Sequence, residues 1–268
     1  MLEKITSPQN ARIRNLVLLQ LKSRERRKQN SIVIEGYREI SRALVCGFTV
    51  KELYCCPELG SENIIQGLAA SYPGIVVYFV SVAAFEKLAY REGSDGLIAV
   101  AEPINRTLEG LKLGDNPLVI VLESVEKPGN LGAVMRTADA AGVDAVIICD
   151  PHTDLYNPNT IRSSVGCIFT RQVVVADSRE VIEWMKKLGI RSYAAALIES
   201  AESYHLKDFT GPTAFIMGTE ATGLSSQWLT SSTSQVIIPM KGIADSLNVS
   251  VSTAILVFEA IRQRGFSI

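Results

Sequence analysis

No apolar run in the 268-residue chain approaches the roughly 18 residues that a membrane-crossing helix needs. The opening MLEKITSPQNARIRN lacks the apolar core of a secretory leader. We therefore expect a cytoplasmic protein with no membrane association. No two cysteines stand as CxxC. The five present, Cys46, Cys55, Cys56, Cys149 and Cys167, are odd in number and two are adjacent, which suits neither a zinc framework nor a disulfide scaffold. They read as small buried hydrophobes in a reducing compartment. Clustered His, Cys or Asp ligands are missing too, so no metal is expected. No strand-like segment ends in GxGxxG, which weakens a nicotinamide dehydrogenase reading. A net charge of −1 gives no global basic field that would advertise nucleic acid.

What is present is an ordinary globular composition, 47% hydrophobic and 21% charged, long enough for one large or two medium domains. The charge is unevenly spread. Residues 1–44 carry a balance of +6, and the remainder −7. The run KSRERRK, residues 22–28, reads either as a solvated helix end or as a basic arm meeting phosphates.

Strand-like and helix-like segments alternate. A basic helical pattern over residues 7–29 precedes SIVIEG, YREISRALVCG, VKELYCC, ENIIQGLAASY, GIVVYFV, VAAFEKLAY and GLIAVAE, which read strand, helix, strand, helix, strand, helix, strand. PINRTLEGLKLGDNP is broken by Pro and Gly and reads as a linker. The alternation then resumes with LVIVL, AVIIC, QVVVA, SYAAAL, AFIM and QVIIP, separated by helical patterns. Short buried runs alternating with helices predict a mostly parallel sheet covered on both faces. The expected organisation is a domain over 1–103, a linker over 104–117 and a second domain over 118–268.

In such a sheet, ligands bind beyond the carboxyl ends of the strands. LVIVL is followed by ESVEKPGNLGAVMRTADAAG. There Asn130 is a candidate helix N-cap, and Leu131, Val134, Met135, Ala138 and Ala141 share one face. Arg136 lies about 140° from Leu131, off that face; a solvated surface arginine is the plain alternative. AFIM is followed by Gly218-Thr-Glu220-Ala-Thr-Gly223, where glycines permit close approach of a ligand or of backbone, and Glu220 can accept ligand hydroxyls or orient an arginine. A simple turn with Ser225 capping a short helix would also explain it. QVIIP is followed by an unusually long loop to Asn248. Ser246 and Asn248 can cap the last helix, whose expected apolar stripe is Val251, Ala254, Ile255, Phe258 and Ile261.

Taken together, Asn130-Leu-Gly132-Ala-Val-Met-Arg136, Gly218-Thr-Glu220-Ala-Thr-Gly223 and Ile238-Pro239-Met240-Lys-Gly242 followed by Ser246-Leu247-Asn248-Val249-Ser250 resemble the three ordered motifs of the SpoU (TrmH-like) branch of the SPOUT RNA methyltransferases. NPNTIRSSVGCIF resembles that family's segment before the following strand. EGYREISRAL and GLIAVAEP resemble its ribosomal-protein-L30-like RNA-binding domain. The resemblance implies an α/β fold: a trefoil-knotted, mostly parallel SPOUT catalytic domain preceded by a smaller α/β L30-like domain. It also implies an S-adenosylmethionine-dependent methyltransferase acting on a ribose 2′-hydroxyl of RNA, ribosomal before transfer RNA, and a homodimer formed through the knotted domain.

The resemblance carries Asn130, Arg136, Glu220, Ser246 and Asn248 over as catalytic residues. It carries Gly218, Glu220, Gly223, Ile238, Pro239, Met240, Gly242 and Leu247 over as cofactor-binding residues. His152 and His205 lie outside the motifs. A guanidinium with a pKa above about 12 is a poor base, so Arg136 is expected to clamp an RNA phosphate and stabilise the developing alkoxide; deprotonation by Arg136 stays open. Rival readings are an RNA-binding module without turnover, a tRNA ribose methyltransferase, and a base methyltransferase of another SPOUT branch.

Overall fold

In the computed structural model, residues 4–60, 62–89, 93–151, 154–219 and 222–266 are described, without the side chains of Glu62, Asn63 and Ala69. In chain order the strands are β1 Lys4–Ile5, β2 Ile32–Glu35, β3 Val50–Cys55, β4 Val76–Val80, β5 Leu97–Ala101, β6 Leu118–Glu123, β7 Ala145–Cys149, β8 Gln172–Ala176, β9 Arg191–Ala195, β10 Glu202–Ser203, β11 Thr213–Met217 and β12 Ser234–Ile237. The helices are α1 Ala11–Leu21, α2 Ser23–Gln29, α3 Tyr37–Val45, α4 Glu62–Ser71, α5 Val82–Glu86, α6 Pro128–Ala140, α7 Pro158–Ser163, α8 Cys167–Thr170, α9 Ser178–Lys187, α10 Ser226–Ser231 and α11 Val249–Gln263. The chain forms two compact units. One contains Met1–Ile104 with Asp154–Thr170, the other Asn105–Thr153 with Arg171–Ile268. Among the described residues no helix is long and apolar enough to cross a membrane.

The first unit holds a five-stranded sheet, ordered β1-β4-β3-β5-β2. β1, β4 and β3 run parallel, while β5 is antiparallel to both β3 and β2. The basic helix expected over 7–29 is broken in two at Lys22, whose backbone is extended (φ −122°, ψ 110°). Arg26 explains the break. It is only 4% exposed, donates to the carbonyls of Leu19 and Gln20 at the open end of α1, and pairs with Asp154. Helix C-termini leave carbonyls without partners, and a cation there satisfies them and the dipole together. KSRERRK is thus not uniformly solvated: Arg26 is structural, while Arg24, Arg27 and Lys28 are exposed. The segment Asp154–Thr170, carried between β7 and β8, completes this unit's core. Phe169 and Tyr156 meet the Phe48 ring edge-on at 4.8 and 6.2 Å between centroids.

The second unit is built on a seven-stranded, wholly parallel sheet ordered β10-β12-β9-β11-β6-β7-β8. Its central strands β6, β7 and β11 are buried along their whole length. That is why they read as unbroken apolar runs rather than alternating ones. The segment expected as a linker has no helix or named strand from residue 105 to 117, yet it is fastened to this unit. Leu108 is buried in its core, Arg106 bridges Val174, Gln172 exchanges hydrogen bonds with the Lys112 backbone, and Gly114 donates to Asp144 (2.9 Å).

α6 packs against α11. The expected face of α6 is buried: Leu131, Val134, Met135, Ala138 and Ala141. The expected stripe of α11 is not. Val249, Thr253, Leu256, Val257 and Ala260 face inward, whereas Val251 and Phe258 are 47% and 41% exposed. The helix is apolar on two faces, and periodicity alone selects the wrong one as interior. Just past α11, Arg264 fastens the chain. Its guanidinium donates to the carbonyls of Phe209 (3.0 Å), Gly211 (2.6 Å), Asn116 (2.9 Å) and Pro117 (3.3 Å).

Candidate active site

The site lies at the carboxyl ends of β6, β9, β11 and β12. β6 ends on Glu123, which is buried (6% exposed), and Ser124 turns the chain in the left-handed region (φ 53°). α6 then begins with Pro128, where its missing N–H costs nothing. The N-cap is Lys127, so Asn130 is the third helical residue and not the cap expected from sequence. Asn130 Oδ1 accepts from Asn248 Nδ2 at 3.1 Å. Asn248 is itself the N-cap of α11: its Oδ1 accepts from the Ser250 backbone (2.9 Å) and hydroxyl (2.6 Å). One side chain therefore starts the last helix and joins the loops after β6 and β12. Ser246, the other candidate cap, is exposed and does not cap α11. Arg136 is exposed on the outer face of α6, and its side chain makes no hydrogen bond or ion pair among the described residues.

After β11, Thr219 and Gly223 exchange backbone hydrogen bonds of 3.2 and 3.0 Å and close a short loop. Thr219 Oγ1 accepts from the Thr222 N–H (3.0 Å). Gly223 has φ +67°, a conformation that glycine adopts without strain. Glu220 lies outside the described residues, as does His152. Beyond the loop, Ser225 donates to Glu123 Oε2 (2.8 Å). Trp228, fully buried, donates to Ser178 Oγ (3.0 Å), which donates to Asp150 Oδ2 (2.6 Å). Burial of so large an aromatic contributes at least about 3 kcal/mol, so α10 is a firm wall for what precedes it.

A cavity of about 380 Å³ opens at the ends of β9, β11 and β12, within the range of small-molecule sites. Of the residues expected to bind a cofactor, Gly218, Gly223, Ile238, Met240 and Leu247 line it, joined by Ser246 from the catalytic set. Pro239 and Gly242 are exposed and do not line it; nor do Asn130, Arg136 and Asn248. Of the two close approaches that a strand-end glycine permits, by a ligand or by backbone, Gly218 makes the one to backbone. A Cβ there would lie 2.4 to 2.6 Å from the backbone of Gly223 and Leu224. The space it leaves is filled by the returning loop rather than left for a ligand. The sequence reading missed one wall, residues 195–198 after β9. SYAAAL is a strand of the same parallel sheet, and its alanines leave room at the strand end, so the end-of-strand rule that led to the other loops also applied here. Among the described residues no group of three His, Cys, Asp or Glu side chains could hold a metal.

The chain matches known proteins across nearly its whole length. Residues 117–258 match the SpoU rRNA Methylase family, and residues 10–99 match the MRM3-like substrate binding domain. The chain is 31% identical over 257 residues to the 23S rRNA (guanosine(2553)-2′-O)-methyltransferase RlmP of Bacillus subtilis, covering 96% of this chain and 98% of that protein. A solved RNA 2′-O ribose methyltransferase is 39% identical with a TM-score of 0.83, over 97% of this chain and 99% of that one. The AdoMet-bound rRNA methyltransferase of Sinorhizobium meliloti is 27% identical with a TM-score of 0.88, over 97% and 98%. On the strength of a family match spanning more than half its length and a full-length relative above 30% identity, the chain belongs to the SpoU rRNA methylase family.

Proposed function

We propose that the chain is an S-adenosylmethionine-dependent methyltransferase that modifies a ribose 2′-hydroxyl of ribosomal RNA. The observation that carries this reading is the Asn248–Asn130 hydrogen bond, which ties the Arg136 helix to the loop lining the cavity. The cavity's size, its apolar walls and its position beyond parallel strand ends fit a nucleoside-containing cofactor. When bound, S-adenosylmethionine supplies an activated methyl group on a sulfonium. The protein's task is alignment and charge control. Backbone groups around Gly218, Ile238 and Leu247 hold the adenine and sugar, and α10 keeps water from the inner wall. Arg136, on the exposed face of α6, clamps an RNA phosphate beside the target ribose and stabilises the negative charge that develops on the 2′-oxygen as the hydroxyl proton passes to solvent water. Asn130, Ser246, Asn248 and Glu220 orient Arg136 and the ribose.

Residues 1–103 act in this proposal as the RNA-recognition domain, 104–117 as a connector and 118–268 as the methyltransferase domain, with the segment 154–170 lent to the first unit. The exposed cations of α2 supply a sequence-independent part of the RNA affinity. Val251 and Phe258, spaced seven residues apart on the exposed flank of α11, support a homodimer through the catalytic unit. The long passage after β12 supports a chain that threads an earlier loop to form the expected trefoil knot. Five cysteines with no disulfide among them and a ribosomal substrate support action in the cytoplasm. The test is ribose-methylation mapping of ribosomal and transfer RNA with and without the gene, followed by restoration with purified protein. Loss of one ribosomal 2′-O-methyl mark is expected. A missing transfer-RNA mark would reassign the substrate, and an unchanged pattern would refute the proposal.

A further inference from the structure

Resting on the cofactor reading above, we infer that the Asp245 carboxylate recognises the cofactor's sulfonium charge and so makes the cavity prefer S-adenosylmethionine over its neutral thioether product. Asp245 lines the cavity next to Ser246, and it is the one charged side chain among the described lining residues; the others are apolar, glycine, serine or threonine. It is exposed and makes no ion pair or hydrogen bond among the described residues. Lys241, four residues before it in the same loop, does not pair with it.

A carboxylate at the edge of an apolar concavity projects its field into the cavity, because low-dielectric walls screen it less than open water does. The two ligands differ by one methyl group and one positive charge. Shape therefore separates them weakly, and an unspent negative charge separates them well. The attraction also fades as the methyl leaves and the sulfur becomes neutral. Asp245 is thus a positioning residue for the bound ground state and does not lower the barrier. Removing its charge should raise KM without lowering kcat.

The experiment is calorimetric titration of S-adenosylmethionine and S-adenosylhomocysteine into wild type, Asp245→Asn and Asp245→Glu. Asp245→Asn keeps the shape, and it should weaken S-adenosylmethionine about tenfold and S-adenosylhomocysteine less than about twofold. Asp245→Glu should keep the wild-type order of affinities. At saturating cofactor the kcat of Asp245→Asn should equal or slightly exceed that of Asp245→Glu, since the charge holds the ground state more than the transition state. Equal weakening of both ligands would place the contact at the shared ammonium group and overturn the sulfonium assignment. No weakening of either would overturn any role for Asp245 in charge recognition. Absence of binding by the wild type to both ligands would instead refute the cofactor reading itself.

Discussion

Replacing Gly218 with alanine tests how the cavity is framed. The added Cβ would sit 2.4 Å from the Gly223 carbonyl carbon, 2.5 Å from its oxygen and 2.6 Å from the Leu224 nitrogen. All three are backbone atoms, so no side chain can rotate away. Relief requires moving the returning strand by roughly 1 Å, which breaks the paired Thr219–Gly223 hydrogen bonds of 3.2 and 3.0 Å. Two such bonds contribute about 2 kcal/mol together, and overpacking adds about 1–3 kcal/mol. The loop can escape by opening, so the fold survives while the closed, binding form is depleted. A depletion of about 3 kcal/mol weakens cofactor binding roughly a hundredfold. Gly242 is the internal control. A Cβ there meets nothing within 4 Å, so Gly242→Ala should bind within about threefold of wild type. Calorimetric titration of both variants with S-adenosylmethionine measures the contrast. Wild-type affinity in Gly218→Ala would refute the reasoning, and so would an equal loss in both variants.

Arg136→Ala should leave thermal stability within about 0.5 kcal/mol, because its side chain is exposed and makes no hydrogen bond or ion pair among the described residues; single-turnover methylation should fall by orders of magnitude, and Arg136→Lys should restore little. The proposed homodimer should sediment as a dimer in the wild type and as a monomer in Phe258→Glu, which places charge on the exposed apolar flank of α11. Truncation at residue 103 should yield an aggregation-prone protein, because it strips Phe169 and Tyr156 of the Phe48 ring they pack on; a soluble, cofactor-binding fragment would contradict this. Burial pushes the Cys55 and Cys149 thiols up to about 12. Their neutral forms stabilise the fold fully below the unfolded thiol range, and that contribution is lost as pH rises from about 9 through 12. Thiol-labelling rates between pH 8 and 9 should therefore report half-buried Cys46 first, with Cys55 and Cys149 reacting only after unfolding.

The parallel catalytic sheet was legible because a strand buried on both faces needs no alternation, and LVIVL, AVIIC and AFIM are apolar throughout. The loops were legible through glycine, asparagine and proline at strand ends. What escaped depends on partners distant in sequence. The break at Lys22 follows from Arg26 finding Asp154, 128 residues away. The second apolar face of α11 competes with the first on equal periodicity, and only packing against α6 decides between them. Gly218 is readable as a close approach by a ligand or by backbone, and only the fold decides for backbone. Residues 195–198 carry no polar group to draw notice, since a cavity wall can consist of small side chains that merely leave room.

The Arg264 clasp has a consequence for synthesis. Its carbonyl partners at Asn116 and Pro117 precede the first strand of the catalytic sheet, and 148 residues separate Arg264 from Asn116. At about 5–20 residues per second, roughly 7–30 seconds pass between making the two halves of that contact. Through that interval β6, joined by β7 and later by β11 as they are made, stands without the cation that later binds the turn before it. A growing chain in this window is open to chaperones and to mispairing along β6, and the arrival of one arginine closes it.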